Sequence, residues 1–564
     1  RGCSGDMGSP RQSSTMCALL ALLVLGAQGQ TSPRAVVPRA QTSSYIVIID
    51  AGSTGTRAHA FHYSPRVIES LDQTKRRSLD LVVAQPTTLP APLFSVSVRP
   101  GVSSFVGRPD HDLHVYLSQL VDEAARKLRK EAGGDVDLGE VPVYFGATAG
   151  MRGLDQEHRE KLVGTVRRTL RSGPFHFAYN EQARVLSGEE EGAFGWLSVN
   201  YARHSVGRTP STTFGALDMG GESAQISFIP ETTSILANFF PMHVGVGTGP
   251  IHLYTHSFMS FGYVTAFQRV SHNVLNKSGD KHEMHHPCMP EGVSWRVEDN
   301  KFGVSTTEYP TRTEGPIHME GKGSFEGCSH VAKSLLMQAP CMQPPCSLLG
   351  VYQPDLIRAK FSLNGEYAKA WKLLGPKDGE APVKVPPLIA LRERATTFCA
   401  LSIKDAKKWI AERNGGMEPE LGCWLGVWAY TLLVEGLQFP ENTSNVIFET
   451  HKADWPQGQA IYEVNFFPYR VNLPVHHEKP VALRHNRLWI DLAGADGSDE
   501  GASETLAALA LAVAAVALLA SGVAIGIRLG RGLGPREDAA PFQAWSDRCW
   551  ARPSVPCGRE PLLA

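Results

Sequence analysis

Two stretches, IIDAGST at residues 48–54 and ALDMGGES at 216–223, decide how this sequence is to be read. Each carries a short apolar run into an aspartate, Asp50 or Asp218, and follows it at once with a glycine-rich turn. Around the first, YIVIID (45–50) has the apolar, β-branched composition of a buried strand, and AHAFHY (58–63) alternates as a second strand. Strand, glycine turn and returning strand describe a β-hairpin suited to holding phosphate. A P-loop is excluded, because no helix-opening Gly-Lys-Ser/Thr follows. The second stretch repeats the plan: FGALD (214–218), a glycine turn, then the alternating residues 224–228. The repetition predicts two related lobes facing each other across a cleft, each offering one loop to grip a phosphate chain.

An α/β chain of this plan resembles the actin, sugar-kinase and heat-shock-ATPase superfamily, in which two ribonuclease-H-like lobes enclose the active site in their cleft. The intervening sequence is compatible. Leucine, valine and alanine recur at helical spacing over 113–131, VPVYF (141–145) reads as a strand running into GATAGMR, and 155–171 is a second amphipathic helix. On this reading 44–187 begins lobe I, 188–451 forms lobe II and 452–494 returns to lobe I. The stretch 271–350 reads as an irregular insertion stapled by disulfides. A chain of 564 residues is too long for one hydrophobic core, so two core domains with appendages are expected.

Charge is nearly balanced, with 55 Lys plus Arg against 56 Asp plus Glu, which argues against nucleic acid as a partner and for a small one. Two apolar segments set the topology. MCALLALLVLGA (16–27), with Arg11 ahead and Ala27 and Gly29 behind, reads as a leader over 1–29; an uncleaved signal anchor is the alternative. Residues 505–527 are uncharged and long enough for a transmembrane helix, after a Gly/Asp/Ser-rich stalk at 495–504. Arg528, Arg531 and Arg536 follow it, which places the tail 528–564 in the cytosol and the large preceding region on the exoplasmic side. Six of the ten cysteines lie between the two apolar segments, an even number that suits an oxidising compartment. The sequons at Asn276 and Asn442 fall in the same region.

In DAGSTGTR (50–57) the glycines let backbone N–H groups approach phosphate oxygens, the hydroxyls add donors, and Asp50 can hold a metal ion through its water shell. With ATAGMR (147–152), SGEEEGAFGW (187–196), DMGGESAQ (218–225) and LYTHSFMSFG (253–262), it resembles, in order and spacing, the apyrase family of nucleoside tri- and diphosphate hydrolases. That family, the nucleoside triphosphate diphosphohydrolases, includes ecto-apyrases and Golgi nucleoside diphosphatases. The resemblance covers about 45–490 and thins after 350.

The resemblance implies divalent-metal-dependent hydrolysis of nucleoside tri- or diphosphates, with orthophosphate released by direct attack of water and no phosphoenzyme. Glu191 would be the base that activates the water, Ser223 and Gln225 would position it, and Thr148 would contact the terminal phosphate. Asp50 and Asp218 would bind Ca²⁺ or Mg²⁺ through water, and Ser53, Thr54, Gly55, Arg57, Gly220 and Gly221 would line the phosphate loops. Trp455 and, more weakly, Tyr367 are the candidates for stacking on the nucleobase. It also implies the disulfides Cys288–Cys328, Cys341–Cys346 and Cys399–Cys423, and a membrane-anchored enzyme of the Golgi or the plasma membrane. Without it, His282, His285, His286 and Cys288 mimic a zinc site, as does the Cys341/Cys346 pair; the loop-like setting and the lack of a second matching pair argue against both.

Two departures stand in the fourth motif, where Glu222 replaces a usual Ala or Ser and Ala224 a usual Thr. They motivate an alternative, a catalytically weakened nucleotide-binding surface protein. A polyphosphate-type phosphatase of the same superfamily shares the DxGS opening but is not expected to carry SGEEEGAFGW or YTHS. Arg57 and Gly55 resemble intracellular, plant and parasite-type members more than animal cell-surface ones.

Overall fold

The computed structural model describes residues 44–63, 92–134, 136–231, 235–244, 250–277, 282–304, 316–336, 339–356, 359–377, 384–413, 417–449 and 454–466. The predicted leader, stalk, membrane span and cytosolic tail lie outside them. Among the described residues no helix is long and apolar enough to cross a membrane.

The predicted repeat is visible as two sheets of one topology. In lobe I, β1 (Ser44–Ala51), β2 (Thr56–Tyr63), β3 (Phe94–Val98), β4 (Val143–Ala147) and β5 (Ala183–Val185) lie in the order β3-β2-β1-β4-β5. The first three strands are mutually antiparallel neighbours, and β1, β4 and β5 run parallel. Lobe II repeats this with β6 (Phe214–Met219), β7 (Ser223–Phe228), β9 (Ile251–Met259), β13 (Lys360–Gly365) and β14 (Val446–Phe448); β8 (Phe239–Met242) is an added edge strand. Asp50 pairs with Gly146 in β4, and Asp218 with Asn364 in the equivalent β13. Both aspartates therefore stand at the carboxyl ends of central strands, where open α/β sheets place their ligands.

Strand β1 is central because its side chains satisfy two cores at once. Val47, Ile49 and Ala51 face α1 (Asp110–Glu131), while Ile46 and Ile48 face the opposite layer. Helix α1 buries Leu113, Leu117, Leu120, Val121, Ala124 and Leu128, a three-and-four spacing that presents one stripe to the sheet. Beside it runs α3 (Gln156–Ser172), capped by the Asp155 carboxylate, which accepts the His158 N–H. Between β4 and α3 lies one short turn of helix, α2 (Ala149–Arg152).

Helix α4 (Gly188–Ala202) belongs to the other layer. A capping box between Ser187 and Glu190 starts it, and nearly every later position is buried. Its Gly188 lies on Ser257 of β9, and its Gly192 on Ser227 of β7 and Thr255 of β9. On the far side it meets α11 (Trp455–Phe466) closely enough that a Cβ on Gly458 would lie 1.8 Å from the Phe194 carbonyl oxygen. Trp455 of α11 in turn lies under Gly146 of β4. The helix pair thus fills the space between the two sheets.

Lobe II adds α5 (Tyr263–Lys277), α6 (Phe325–Lys333), α7 (Glu366–Leu374), α8 (Pro387–Cys399), α9 (Ile403–Ala411) and α10 (Gly422–Thr431). The insertion is more regular than its sequence suggests, because β10 (Glu283–His286), β12 (His318–Gly321) and β11 (Ser294–Arg296) form a three-stranded sheet in that order. Disulfides join Cys288 to Cys328, Cys341 to Cys346 and Cys399 to Cys423, the same pairs as the resemblance implies. The histidine cluster is dispersed: buried His286 faces the Ser271 hydroxyl at 3.0 Å and accepts the Cys288 N–H, while His285 lies at the surface near Glu320. Burial pulls His286 down to about 3, so its ring is neutral. Among the described residues no group of three or more His, Cys, Asp or Glu is arranged to hold a metal directly.

Candidate active site

The β1–β2 hairpin closes through the pairs Asp50/Arg57 and Ala51/Thr56, leaving Gly52-Ser53-Thr54-Gly55 as its loop. The β6–β7 hairpin closes through Met219/Ala224 and turns on a Gly220 N–H to Ser223 C=O bond of 2.9 Å. These loops meet across the cleft, for a Cβ built on Gly221 would lie 2.8 Å from the Ser53 hydroxyl and 3.3 Å from the Thr54 methyl. A side chain at 221 would fill the space where the lobes approach, which is a physical reason for glycine there.

Behind the loops lie carboxylates. Asp50 is buried and faces the Arg57 guanidinium at 3.4 Å, and the Arg57 side chain is itself 40% exposed. Burial raises Asp50 to about 7; Arg57 opposes the rise, and Glu191 and Asp454 add to it. Asp218 is raised to about 8 by burial and by Asp454, Glu191, Asp50 and Glu366, with no cation among the causes. Carboxyls raised this far hold their charge poorly near neutral pH unless a cation offsets burial and their mutual repulsion.

The base candidate is held differently. Burial raises Glu191 from its ordinary value, and the Arg152 guanidinium opposes this by charge and by a 2.8 Å hydrogen bond. Arg152 also donates to the Leu186 carbonyl at 3.2 Å and to the Ser223 hydroxyl at 3.1 Å, so one side chain joins α2, the approach to α4 and the second phosphate loop. The Gln225 Nε2 lies 2.7 Å from Ser223 Oγ, 3.0 Å from Ser257 Oγ and 3.3 Å from Glu191 Oε2. Glu191, Ser223 and Gln225, separated in sequence, therefore converge. Thr148 stands at the end of β4 as the N-cap of α2, its N–H bonded to the Ala51 carbonyl at 3.1 Å, beside the first loop.

Both nucleobase-stacking assignments are corrected. Stacking needs an open ring face, and Trp455 is only 5% exposed, its ring filling the space below Gly146. Tyr367 is wholly buried at the start of α7, its charge environment coupled to Asp218 and not to an open surface. Aromatic residue type in a late motif does not distinguish a stacking platform from a core plug. The sequon asparagines Asn276 and Asn442 are exposed.

The sequence reading passed over Arg152, Asp454, Glu366 and Ser257, although Arg152 and Ser257 lie inside quoted motifs. A signal for Arg152 was present: a buried carboxylate acting as a base needs a cation to keep it ionised. Glu222, singled out as a departure, turns inward. Its Oε1 approaches Gly153, its Oε2 has no hydrogen-bond partner in the structure, and Arg152 is the cation that acts on it.

Two ribonuclease-H-like lobes with facing phosphate loops, and a buried glutamate poised beside them, define a phosphohydrolase of the actin-like fold. The chain belongs to the GDA1/CD39 (nucleoside phosphatase) family, whose profile matches residues 36–476. It is 26% identical over 515 residues to a Bos taurus ectonucleoside triphosphate diphosphohydrolase 1, covering 85% of this chain and 92% of that one. Probable apyrase 5 of Arabidopsis thaliana is 28% identical over 352 residues, 61% of this chain and 67% of its own length. Two further Arabidopsis thaliana probable apyrases are matched over 58% and 60% of their lengths. Among solved structures, nucleoside triphosphate hydrolases from Neospora caninum share the fold, with a TM-score of 0.55 at 15% identity over 75% of this chain and 93% of theirs.

Proposed function

We propose that this protein hydrolyses nucleoside tri- or diphosphates to release orthophosphate, using Glu191 as general base for an attacking water. The observation that carries this reading is the convergence of Glu191 and Ser223 on Arg152, with Gln225 reaching both of them. A water held by the Glu191 carboxylate, the Ser223 hydroxyl and the Gln225 carboxamide has its proton acceptor and its orientation from the protein. In this reading backbone N–H groups of 52–55 and Gly221 and the hydroxyls of Ser53, Thr54 and Thr148 would donate to phosphate oxygens.

The donor set fits a divalent cation. Asp50 and Asp218 offer only oxygen, come one from each hairpin, and are held with raised pKa values that a dication would relieve, with no direct three-ligand cage among the described residues. Water-mediated binding of Ca²⁺ or Mg²⁺ by these two aspartates agrees with that arrangement. Such an ion would offset phosphate charge and so favour the developing transition state. Three disulfides among the six central cysteines support an oxidising, exoplasmic location for this region, in the Golgi lumen or at the cell surface. Anchoring through 505–527 remains part of the proposal.

The test is orthophosphate release by the purified protein from ADP, UDP, GDP and ATP with Ca²⁺ or Mg²⁺, beside Glu191→Gln. The variant is expected to bind nucleotide and to turn over at least about 100-fold more slowly, the scale of a lost general base. Undiminished turnover would remove Glu191 from the mechanism. Binding without hydrolysis by the unmodified protein would favour the weakened nucleotide-binding reading, for which inward-turned Glu222 is the motivating observation.

A further inference from the structure

The face of lobe II that carries Ser223 and Gln225 is unusually rich in hydroxyls. Along β7, Ser223, Gln225 and Ser227 share one side; directly across from Gln225 and Ser227 on β9 stand Ser257 and Thr255. Helix α4, which carries Glu191, docks on this face through glycines one turn apart. A Cβ on Gly188 would fall 2.4 Å from Ser257 Oγ, and a Cβ on Gly192 would fall 2.5 Å from Ser227 Oγ and 2.8 Å from Thr255 Oγ1. Ser227 and Thr255 spend their hydroxyls on each other and on the Glu189 carbonyl. Ser257 instead accepts from Gln225, 3.0 Å away.

A carboxamide nitrogen has two N–H groups, and a hydroxyl oxygen has two lone pairs. The two shortest contacts of the Gln225 nitrogen are Ser223 at 2.7 Å and Ser257 at 3.0 Å. Ser223 also receives an Arg152 N–H at 3.1 Å, so both its lone pairs are engaged and its own proton is left to donate, with the attacking water of the proposed reaction as its acceptor. That arrangement requires the Gln225 amide to keep its nitrogen toward Ser223. Without an acceptor at 257 the freed N–H turns to the Glu191 carboxylate, 3.3 Å from the same nitrogen, which draws the amide off Ser223 and occupies an oxygen that must take the water's proton.

We propose that Ser257 is a positioning residue for hydrolysis, acting through Gln225: it fixes the carboxamide so that the Ser223 hydroxyl donates into the site. Gly188, packed on Ser257, couples that lock to the helix bearing Glu191. This rests on the proposed reaction and adds a residue to it.

The experiment is steady-state orthophosphate release by the full chain, with the best substrate among ADP, UDP, GDP and ATP, for Ser257→Ala, Gln225→Ala and the double variant. A second variant, Ser257→Gly, removes the hydroxyl should the first fold poorly, and thermal unfolding is recorded for each. Loss of Ser257 alone is expected to lower kcat about tenfold, in the range of one neutral hydrogen bond, with KM within about twofold. In the Gln225→Ala background it is expected to cost nothing further, which a merely structural serine would not satisfy. Equal losses in both backgrounds, an effect confined to KM, or unchanged kcat would overturn the proposal. An unmodified protein inactive on all four nucleotides would instead refute the proposed function. The Gln225 side-chain NH₂ resonances, read without substrate, would then decide: displacement in Ser257→Ala supports the lock and coincidence refutes it.

Discussion

Removing the Arg152 charge is the most informative single change at this site, with Arg152→Met chosen to keep the apolar stem in place. The guanidinium and the Glu191 carboxylate are 2.8 Å apart, and their side chains are only 14% and 10% exposed. Two unit charges about 4 Å apart interact by roughly 4 kcal/mol at an effective dielectric near 20. Breaking a buried pair from one side typically costs about 3–5 kcal/mol, because the survivor is stranded. Glu191 is already raised by burial, and both causes that oppose the rise come from Arg152. The stranded carboxylate therefore takes up a proton and ceases to be a base. Activity requires the ionised form, present above the Glu191 pKa and lost as pH falls through it, so the variant's acid limb moves to higher pH. At neutral pH about 2–3 kcal/mol of this reaches the rate, giving roughly a 30- to 150-fold loss of kcat. The assay is kcat/KM against pH for both proteins, with Arg152→Lys as a partial rescue that keeps charge but loses the bidentate reach. An acid limb at the same pH in Arg152→Met, with kcat within about threefold, would refute the view that Arg152 keeps the base ionised.

Glu222→Gln removes the inward carboxylate beside the second loop, where a charge at roughly 6–8 Å from phosphate is worth on the order of 2–3 kcal/mol at a dielectric near 20 before solvent screening of this partly exposed group; with about 1 kcal/mol of that reaching the substrate, KM for nucleotide is expected to fall roughly fivefold with the fold intact. Matching kinetics and matching metal titrations for the two proteins would show that the departure is neutral. Metal removal has a signed signature. The folded-state values of Asp50 and Asp218, about 7 and about 8, lie above the ordinary 3.8, so their contribution to stability is present below about pH 4 and is lost as pH rises to about 7–8. In chelator the melting temperature is expected to drop across that window, and added Ca²⁺ or Mg²⁺ to restore most at its upper end. A pH-independent metal effect on melting would argue against these two aspartates as the binding groups.

How far the sequence could be read depended on whether an element faces one environment or several. Strand β1 and its hairpin were legible because four consecutive apolar β-branched residues and a glycine turn leave little choice. Helices α1 and α3 were legible because each turns a single apolar stripe inward. Helix α10 was not, since Gly422–Thr431 is buried all round and carries no periodic contrast. The insertion strands span only three or four residues each, too short for alternation to register. Within the site, residue type and motif order singled out Glu191, Ser223 and Gln225, which the fold brings into contact. Arg152 became visible only once a partner 39 positions away was brought to it. Trp455 and Tyr367 failed for the complementary reason, that exposure is a property of the fold and is not written in the residue.

The two lobes are near copies in backbone, yet the chemistry they present is unequal, and the inequality has a geometric consequence. The register that sets Asp50 beside Gly146 sets Asp218 beside Asn364, and the next step along each neighbouring strand leads to Thr148 in lobe I but Glu366 in lobe II. Symmetry supplies two opposed loops and two aspartates; it does not supply a base. Glu191 comes from α4, which seats its glycines on the lobe II sheet and its other side on α11 beneath lobe I. Arg152 comes from lobe I and reaches both Glu191 and lobe II's Ser223. On the proposed mechanism the base and the cation that keeps it ionised therefore come from opposite sides of the cleft, which is why neither half of the repeat carries the site alone.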